Sequence, residues 1–245
     1  MKILVCISNV PDTTTKITFS ADNKSFNSAG VQYIINPYDE IALTRALELK
    51  ESLGGTVTVI NVGIATTEAN IRKALAIGAD DAIRINAEPL DAFFVASQIA
   101  EIAKKNQYDI ILTGRESIDY NSGLVAGMIG ELLEIPSVSV AVKLDVNGTE
   151  ALLEREIDGG KEVISTSLPF VASAQKGMAE PRIPNMRGIM TARTKPLQVV
   201  EPTGNTATTS FVNYSVPPAK SACKMISADH PEELINLLHN EAKVI

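Results

Sequence analysis

The first two-thirds of the chain alternate short apolar runs with segments of helical periodicity. The runs are rich in Val and Ile, as is typical of strands covered on both faces in a parallel sheet. They cover residues 3–7, 56–62, 82–85 and 109–113. Helical patterns lie between and after them at residues 37–53, 68–78 and 122–134. A further helical segment follows Asp91, which can cap it. This order predicts an open, doubly wound, mostly parallel α/β sheet with right-handed crossovers.

The texture changes after Pro136, where three strand-like runs follow one another without helices. They cover residues 138–144, 152–157 and 162–167, with Asn147-Gly148 and Gly159-Gly160 between them. Both dipeptides are hairpin turn signals. We therefore expect an antiparallel hairpin extension of the sheet, followed by one more core strand at residues 170–174.

From Glu180 onward, prolines punctuate a stretch with little periodicity. The stretch still carries apolar residues such as Met186, Ile189 and Val199, more than a solvated tail requires. The sequence thus predicts a nucleotide-binding domain at residues 1–180. Residues 181–245 are predicted to form an extended arm that wraps on a partner and ends in a short helix at 231–240, with Asp229 or His230 as its N-cap.

Composition excludes several kinds of site. Both histidines, His230 and His239, lie near the end of the sequence, so the preceding residues can form neither a Ser-His-Asp triad nor a His-ligated zinc site. A net charge of -7 argues against nucleic acid as a partner. Two cysteines suggest no disulfide framework, and Cys6 reads as a small buried apolar residue. No apolar segment has the length of a membrane span, so we expect a soluble, cytoplasmic protein.

Ligands of open α/β sheets bind beyond the carboxyl ends of the strands. Ser8-Asn9, Gly63 and the loop 114–123 follow such ends. That loop precedes the helical pattern at 122–134, so its backbone N–H groups can bind an anion. Alternatively, Ser122 only caps the helix. Composition alone favours neither reading, and neither a Walker loop nor a G-x-G-x-x-G motif is present.

A second candidate lies at residues 36–40, Asn-Pro-Tyr-Asp-Glu. Pro37 suits the first position of a helix, with Asn36 as its N-cap. Asn36 either contacts a nucleotide or only caps the helix, and capping is the reading that the residues favour.

Residues 153–160, Leu-Glu-Arg-Glu-Ile-Asp-Gly-Gly, form a third candidate. Strand alternation puts Glu154, Glu156 and Asp158 on one face and Arg155 on the other. Arg155 need not be neutralised by these carboxylates and can interact with a ligand or partner. The alternative, which periodicity alone favours, is a solvated edge hairpin with a Gly-Gly turn.

Together these residues resemble the beta subunit family of electron transfer flavoproteins. The resemblance rests on residues 153–160, on Ser-Leu-Pro at 167–169 and on Glu-Pro-Arg at 180–182. It extends to the opening Lys-Ile-Leu-Val-Cys-Ile, to residues 35–42 and to Ala-Leu-Ala-Ile-Gly-Ala-Asp at 74–80. The motifs occur in the same order from residue 2 to about residue 200.

The resemblance implies a sheet of the adenine nucleotide alpha hydrolase-like type and an electron carrier subunit, not an enzyme. Such a beta subunit pairs with an alpha subunit, and the heterodimer holds FAD, bound largely by alpha. The beta subunit itself holds AMP, or in some relatives a second FAD. Electrons pass from acyl-CoA dehydrogenases or similar flavoenzymes toward a quinone-linked oxidoreductase.

Carried over by position, the resemblance assigns a role to three groups of residues. Those of the nucleotide pocket are Cys6, Asn36, Pro37, Tyr38, Asp39, Val62, Gly63, Asp119, Asn121, Ser122, Gly123, Leu124 and Val125. Arg155 and Glu156 are expected near the interface FAD, where Arg155 would tune its potential. Met186, Ile189 and Met190 are expected on a flexible loop that docks partner dehydrogenases.

This chain departs from the family pattern at two places. Many members carry Asn-Gln-Thr or Thr-x-Gln before the helix where this chain has Ser122-Gly-Leu-Val125, so backbone N–H groups would bind the phosphate here. The lysines that follow the docking loop in some members are Thr191 and Arg193 in this chain.

Two other functions stay open at this point. A stand-alone adenine-nucleotide sensor would explain the first 136 residues but not the arm. An ATP-using enzyme of the same architecture is disfavoured, because the first strand is not followed by a Ser-Gly-Gly-x-Asp-Ser loop.

Overall fold

A nine-stranded sheet dominates the computed structural model, which describes residues 1–220 and 222–245. The strands of the chain are β1 (Lys2–Cys6), β2 (Asn9–Pro11), β3 (Tyr33–Ile35), β4 (Thr56–Val62), β5 (Asp81–Ile85), β6 (Ile110–Gly114), β7 (Ser137–Asn147), β8 (Glu150–Ile157), β9 (Gly160–Ser167), β10 (Phe170–Ala174) and β11 (Leu197–Val200). The α-helices are α1 (Pro37–Leu53), α2 (Glu68–Ile77), α3 (Ala92–Asn106), α4 (Val125–Leu133), α5 (Met186–Ala192) and α6 (Pro231–Asn236).

The order of strands in the sheet is β11-β5-β4-β1-β6-β10-β7-β8-β9, and β2 pairs with β3 in a separate ribbon. The strands from β11 to β7 run parallel, whereas β8 and β9 are antiparallel. The predicted doubly wound sheet with a hairpin extension is therefore confirmed.

Strand alternation builds a core on each face of the sheet. Ile3 and Val5 of β1 point to the face that α1 and α2 cover, and Leu4 points to the face covered by α3 and α4. Because helices cover both faces, the central strands are apolar in nearly every position, which explains the continuous runs in the sequence.

The chain reverses its direction of travel across the sheet between β1 and β6. From β1 it proceeds through β4 to β5, and it then returns to place β6 on the other side of β1. This point is the topological switch of the sheet, where a crevice opens beyond the carboxyl ends of the strands.

The expectation of an aperiodic stretch after residue 180 is wrong for part of that stretch. β11 pairs with β5 in parallel register, with Leu197 opposite Ala82 and Val200 opposite Ile85. Leu197 packs against one core and Val200 against the other. A four-residue edge strand is too short for periodicity to reveal, because its stability comes from the neighbouring strand and not from its own pattern.

The chain divides into two compact units. Residues 1–17 and 27–212 form the first, and residues 18–26 and 213–245 form the second. The predicted domain boundary at residue 180 stays a prediction. Residue 221 of the predicted arm lies outside the described residues.

The second unit contains a β-bridge between Phe19 and Phe26 and a stack of the Phe19 and Tyr214 rings, with centroids 4.9 Å apart. The predicted terminal helix is confirmed as α6, with His230 at the N-cap position, and continues as a π-helical turn at Leu237–Ala242. Leu234 and Ile235 on this helix are exposed.

Asp91 caps α3 as predicted, since its Oδ1 accepts a hydrogen bond from the Phe94 N–H at 2.7 Å. Its Oδ2 accepts bonds from the backbone N–H groups of Thr208 and Thr209 at 2.7 and 2.8 Å. Partial burial acts to raise the pKa of Asp91, but these bonds outweigh burial and hold the pKa at about 2. One carboxylate thus fixes both the start of α3 and the segment that follows β11.

Across the described parts of the chain, no helix combines the length and apolar character needed to cross a membrane.

Candidate nucleotide-binding site

A buried carboxylate joins the three segments that meet at the switch point. Oδ2 of Asp39 accepts a hydrogen bond from the Ser8 N–H, just beyond β1, at 2.6 Å. Oδ1 accepts one from the Gly114 N–H, at the end of β6, at 2.9 Å, and one from Nδ2 of Asn36 at 3.0 Å. Asp39 lies in the first turn of α1. The end of β1, the start of α1 and the end of β6 are therefore fixed to one side chain.

Asp39 is only 3% exposed. Burial raises the pKa of Asp39 from its ordinary 3.8 to about 7, against the opposing effect of the bonds from Ser8, Asn36 and Gly114. Because both of its oxygens accept hydrogen bonds from protein donors, Asp39 holds the walls of the site together.

Asn36 occupies the N-cap position of α1, with Pro37 next to it, as predicted. Its side chain, however, accepts no cap hydrogen bond. Nδ2 donates to the Glu116 carbonyl at 2.8 Å, and Oδ1 accepts from the Ile118 N–H at 3.3 Å. The reading that Asn36 only caps the helix is wrong, because its amide instead holds the loop that follows β6.

Two glycines allow close approaches at the floor of the site. A Cβ on Gly114 would lie 2.3 Å from Oδ1 of Asp39. A Cβ on Gly63 would lie 2.5 Å from Oδ1 of Asn61 and 2.5 Å from a Thr67 methyl. Any side chain at either position would push these walls apart.

The Gly63 turn is held by a buried arginine. Arg84, in β5, is 5% exposed, and its Nη1 donates to the Gly63 carbonyl at 2.9 Å and to Oδ1 of Asn86 at 2.8 Å. Its Nε donates to Glu68, at the start of α2, at 3.2 Å. Sequence reasoning overlooked Arg84, although a charged residue inside an otherwise apolar strand is a signal that it has a buried partner.

Asn61 is the third polar residue under this turn. Nδ2 donates to the Ile7 carbonyl at 2.8 Å, whereas the buried Oδ1 has no hydrogen-bond partner among residues 1–220 and 222–245. A buried acceptor without a partner carries a free-energy cost that a bound polar group or water would relieve. It therefore marks the Gly63 side of the site as suited to a polar ligand.

The loop after β6 is compact, and the helix that follows it begins three residues later than predicted. The Ser117 N–H donates to the Ser122 carbonyl at 3.1 Å, and Oδ1 of Asp119 accepts from the Ser117 hydroxyl and from the Tyr120 N–H. Ser122 therefore belongs to the loop and does not cap α4, which corrects that alternative. The helix begins at Val125.

The start of α4 can bind an anion. Leu124 occupies the N-cap position, and its side chain has no acceptor for the N–H groups of the first turn. Those groups and the positive end of the helix dipole suit a phosphate, without the glutamine of the family pattern.

Cys6 and Val62, at the ends of β1 and β4, are buried in the same apolar cluster. Burial, and secondarily the charge of Asp39, raises the pKa of the Cys6 thiol, which stays protonated. The interpretation of Cys6 as a small apolar residue is thus confirmed.

The residues predicted near the interface FAD and on the docking loop lie on other elements. Arg155 and Glu156 are in β8, and Met186, Ile189 and Met190 are in α5. As the alternation predicted, no ion pair joins Arg155 to Glu154, Glu156 or Asp158, but its Nε pairs with a fourth carboxylate, Glu162 of β9, and Nη1 lies 3.4 Å from the Ser139 hydroxyl. The alternation rule considered only carboxylates of the same strand, whereas register places Glu162 directly opposite on the next.

Within the described ranges, no three His, Cys, Asp or Glu side chains are grouped to hold a metal ion. The charged groups of this crevice serve instead to hold its walls together.

The chain belongs by its fold to the doubly wound α/β proteins, whose ligands bind at the switch point of the sheet. Residues 24–205 match the family model of the electron transfer flavoprotein domain. The chain is 38% identical to electron transfer flavoprotein subunit beta of Bacillus subtilis, with 100% of both chains covered. It is 37% identical to that of Syntrophomonas wolfei and 30% to that of Homo sapiens, with 100% of this chain and 98% and 99% of the relatives covered. The chain therefore belongs to the electron transfer flavoprotein family, which confirms the resemblance seen in the sequence.

The Asp39 junction yields a testable prediction. Asp39→Asn replaces one acceptor oxygen with an NH2 group that faces a buried donor, and we expect the free energy of unfolding to fall by about 2–4 kcal/mol. Asp158→Asn, at the exposed turn after β8, is the matched control and should leave stability unchanged.

The pH dependence of that difference has a definite sign. The folded protein holds the Asp39 proton more tightly than the unfolded chain does, so the contribution of Asp39 declines as pH rises from about 4 to about 7. Denaturant titrations at pH 5 and pH 8 should therefore show a smaller gap between wild type and Asp39→Asn at pH 8. A gap that widens with pH would contradict the raised pKa.

Proposed function

We propose that this chain is the beta subunit of a heterodimeric electron transfer flavoprotein and an electron carrier rather than an enzyme with its own substrate. The complex passes electrons from acyl-CoA or related dehydrogenases to a quinone-linked acceptor. The observation that carries the proposal is similarity over the whole chain to proteins named as subunit beta, combined with a built crevice at the switch point.

The crevice residues fit a nucleotide such as AMP. The N–H groups at the start of α4 suit its phosphate, and the Gly63 turn, with the unpartnered Asn61 oxygen beneath it, offers a polar wall for the remainder. Val62 and Cys6 supply apolar surface. In this role the nucleotide stabilises the crevice, and the chain does no chemistry on it.

FAD, shared with the alpha subunit, supplies the redox chemistry when it is bound. The residues of this chain would hold it at the interface and set the local charge. Arg155 is the residue we assign to that task. Its ion pair with Glu162 holds the guanidinium in place but also offsets its charge. The pair therefore sets how much positive potential reaches a bound flavin.

Partner dehydrogenases would dock on α5. Met186 and Met190 are 74% and 70% exposed, and Ile189 is also exposed, which leaves an apolar ridge on a short helix. Met side chains adapt to differently shaped apolar pockets, which suits a carrier that meets several partners.

The first test of the proposal is co-expression with an alpha subunit encoded by the same genome. We expect a yellow one-to-one complex in size-exclusion chromatography with multi-angle light scattering, and a colourless or weakly coloured chain when it is expressed alone. A stable monomer that ignores the alpha subunit would favour a stand-alone nucleotide sensor and overturn the proposal.

The charge of the Arg155–Glu162 pair provides a second test in that complex. Arg155→Ala should lower the flavin midpoint potential, and Glu162→Gln, which frees the arginine charge, should raise it, each by about tens of millivolts. Arg155→Lys retains the charge and serves as the control. Spectroelectrochemical titration measures the flavin midpoint potential of the wild type and the three variants. Equal potentials in all four proteins would show that Arg155 does not act on the flavin.

A further inference from the structure

α5 lies directly against the backbone of α2. A Cβ built on Gly188 would come within 2.2 Å of the Ala76 carbonyl oxygen. A backbone oxygen cannot move aside as the end of a flexible side chain can. Glycine at this position therefore allows a helix-to-helix approach that any other residue would prevent.

Two cationic side chains join α2 to the end of α5 and the residues just after it. One cation lies in α2 and the other follows α5, and each donates to backbone carbonyls of the opposite segment. Arg72, in α2, donates through Nη1 to the Ala192 carbonyl at 2.8 Å and to the Lys195 carbonyl at 2.6 Å. Lys195 donates through Nζ to the Leu75 carbonyl at 2.8 Å and to the Ala79 carbonyl at 2.6 Å. We call Gly188, Arg72 and Lys195 the α2–α5 clasp.

Of the two carbonyls that Lys195 meets, that of Leu75 lies in the last turn of α2, where backbone acceptors lack partners in the helix itself, and that of Ala79 lies just beyond the helix. An ammonium group there also complements the negative end of the helix dipole. Bonds between a charged donor and a partly buried carbonyl are stronger than neutral ones.

The entry to α5 is fixed as well. Oδ1 of Asn185 caps the helix by accepting from the Gly188 N–H at 2.8 Å. Just upstream, both Nη groups of Arg182 bind the Glu51 carboxylate of α1, at 2.6 and 2.8 Å. The segment is thus anchored before, within and after its helix.

A helix of seven residues has too few hydrogen bonds to persist alone in water, so its shape depends on these anchors. The side chains that the anchors leave outward include the apolar Met186 and Met190, together with the polar Arg187 and Thr191. The anchors fix the backbone of α5 and leave the two Met side chains free to adopt different rotamers. The docking segment is therefore an anchored helix and not the flexible loop expected from the sequence.

We propose that Gly188, Arg72 and Lys195 are positioning residues that hold α5 as a preformed docking element. The inference deepens the proposed docking of partner dehydrogenases and rests on it for its functional consequence. The partner then meets an ordered apolar ridge and pays little ordering entropy on binding.

The test uses the alpha–beta complex with Lys195→Met and Gly188→Ala. Lys195→Met keeps the length of the side chain and removes its charge, and Gly188→Ala inserts the Cβ that meets Ala76. The matched controls are Arg193→Met, an exposed cation in the same segment, and Gly204→Ala, where a Cβ meets open space.

Hydrogen–deuterium exchange of peptides covering residues 183–195 measures how well the clasp holds α5 in place. We expect exchange to be faster by about one to two orders of magnitude in both clasp variants, with both controls at the wild-type rate. Unchanged exchange in Lys195→Met and Gly188→Ala would overturn the clasp. Flavin absorbance and the thermal midpoint establish that the rest of the complex is folded.

Reduction of the complex by a purified acyl-CoA dehydrogenase with its acyl-CoA substrate reads the functional consequence. We expect the KM for the complex to rise about tenfold in the clasp variants, with kcat nearly unchanged. If exchange rises but KM does not, the clasp stands and docking on α5 fails. A fall in kcat at constant KM would contradict a positioning role.

Discussion

The structure depends on one buried carboxylate at the switch point of the sheet. Asp39 accepts hydrogen bonds from Ser8, Asn36 and Gly114, so the ends of two parallel strands and the start of α1 share a single anchor. An open sheet provides a crevice at this place but nothing that fixes its width. The carboxylate supplies that constraint, and its raised pKa is the cost of placing it out of contact with water.

From this anchor the polar interactions extend outward in two directions. Asn36 holds the loop after β6 and thereby sets where α4 begins, and Arg84 holds the Gly63 turn against the start of α2. The opposite end of α2 carries the clasp to α5. The helix that borders the crevice therefore also supports the apolar ridge proposed for docking.

The doubly wound fold could be predicted because parallel strands covered on both faces need continuous apolar runs, and the first strands show them. β11 could not, since its four residues gain their stability from pairing with β5. The sequence identified Asn36 as a candidate because it precedes a helix. The partners of its side chain could not be predicted from local sequence, because they are 80 and 82 residues away. The pairing of Arg155 with Glu162 also could not be predicted from local sequence, because it depends on the register between β8 and β9.

The account's central claim is that these walls form a nucleotide crevice, and native mass spectrometry of the purified alpha–beta complex tests it most directly. We predict one adenine nucleotide per complex beyond the shared FAD, released on denaturation and identified by its mass. Gly114→Ala, which forces a Cβ against Asp39, should lose that nucleotide while retaining FAD. A wild-type complex that carries FAD and no second nucleotide, even after incubation with excess AMP, would contradict the claim.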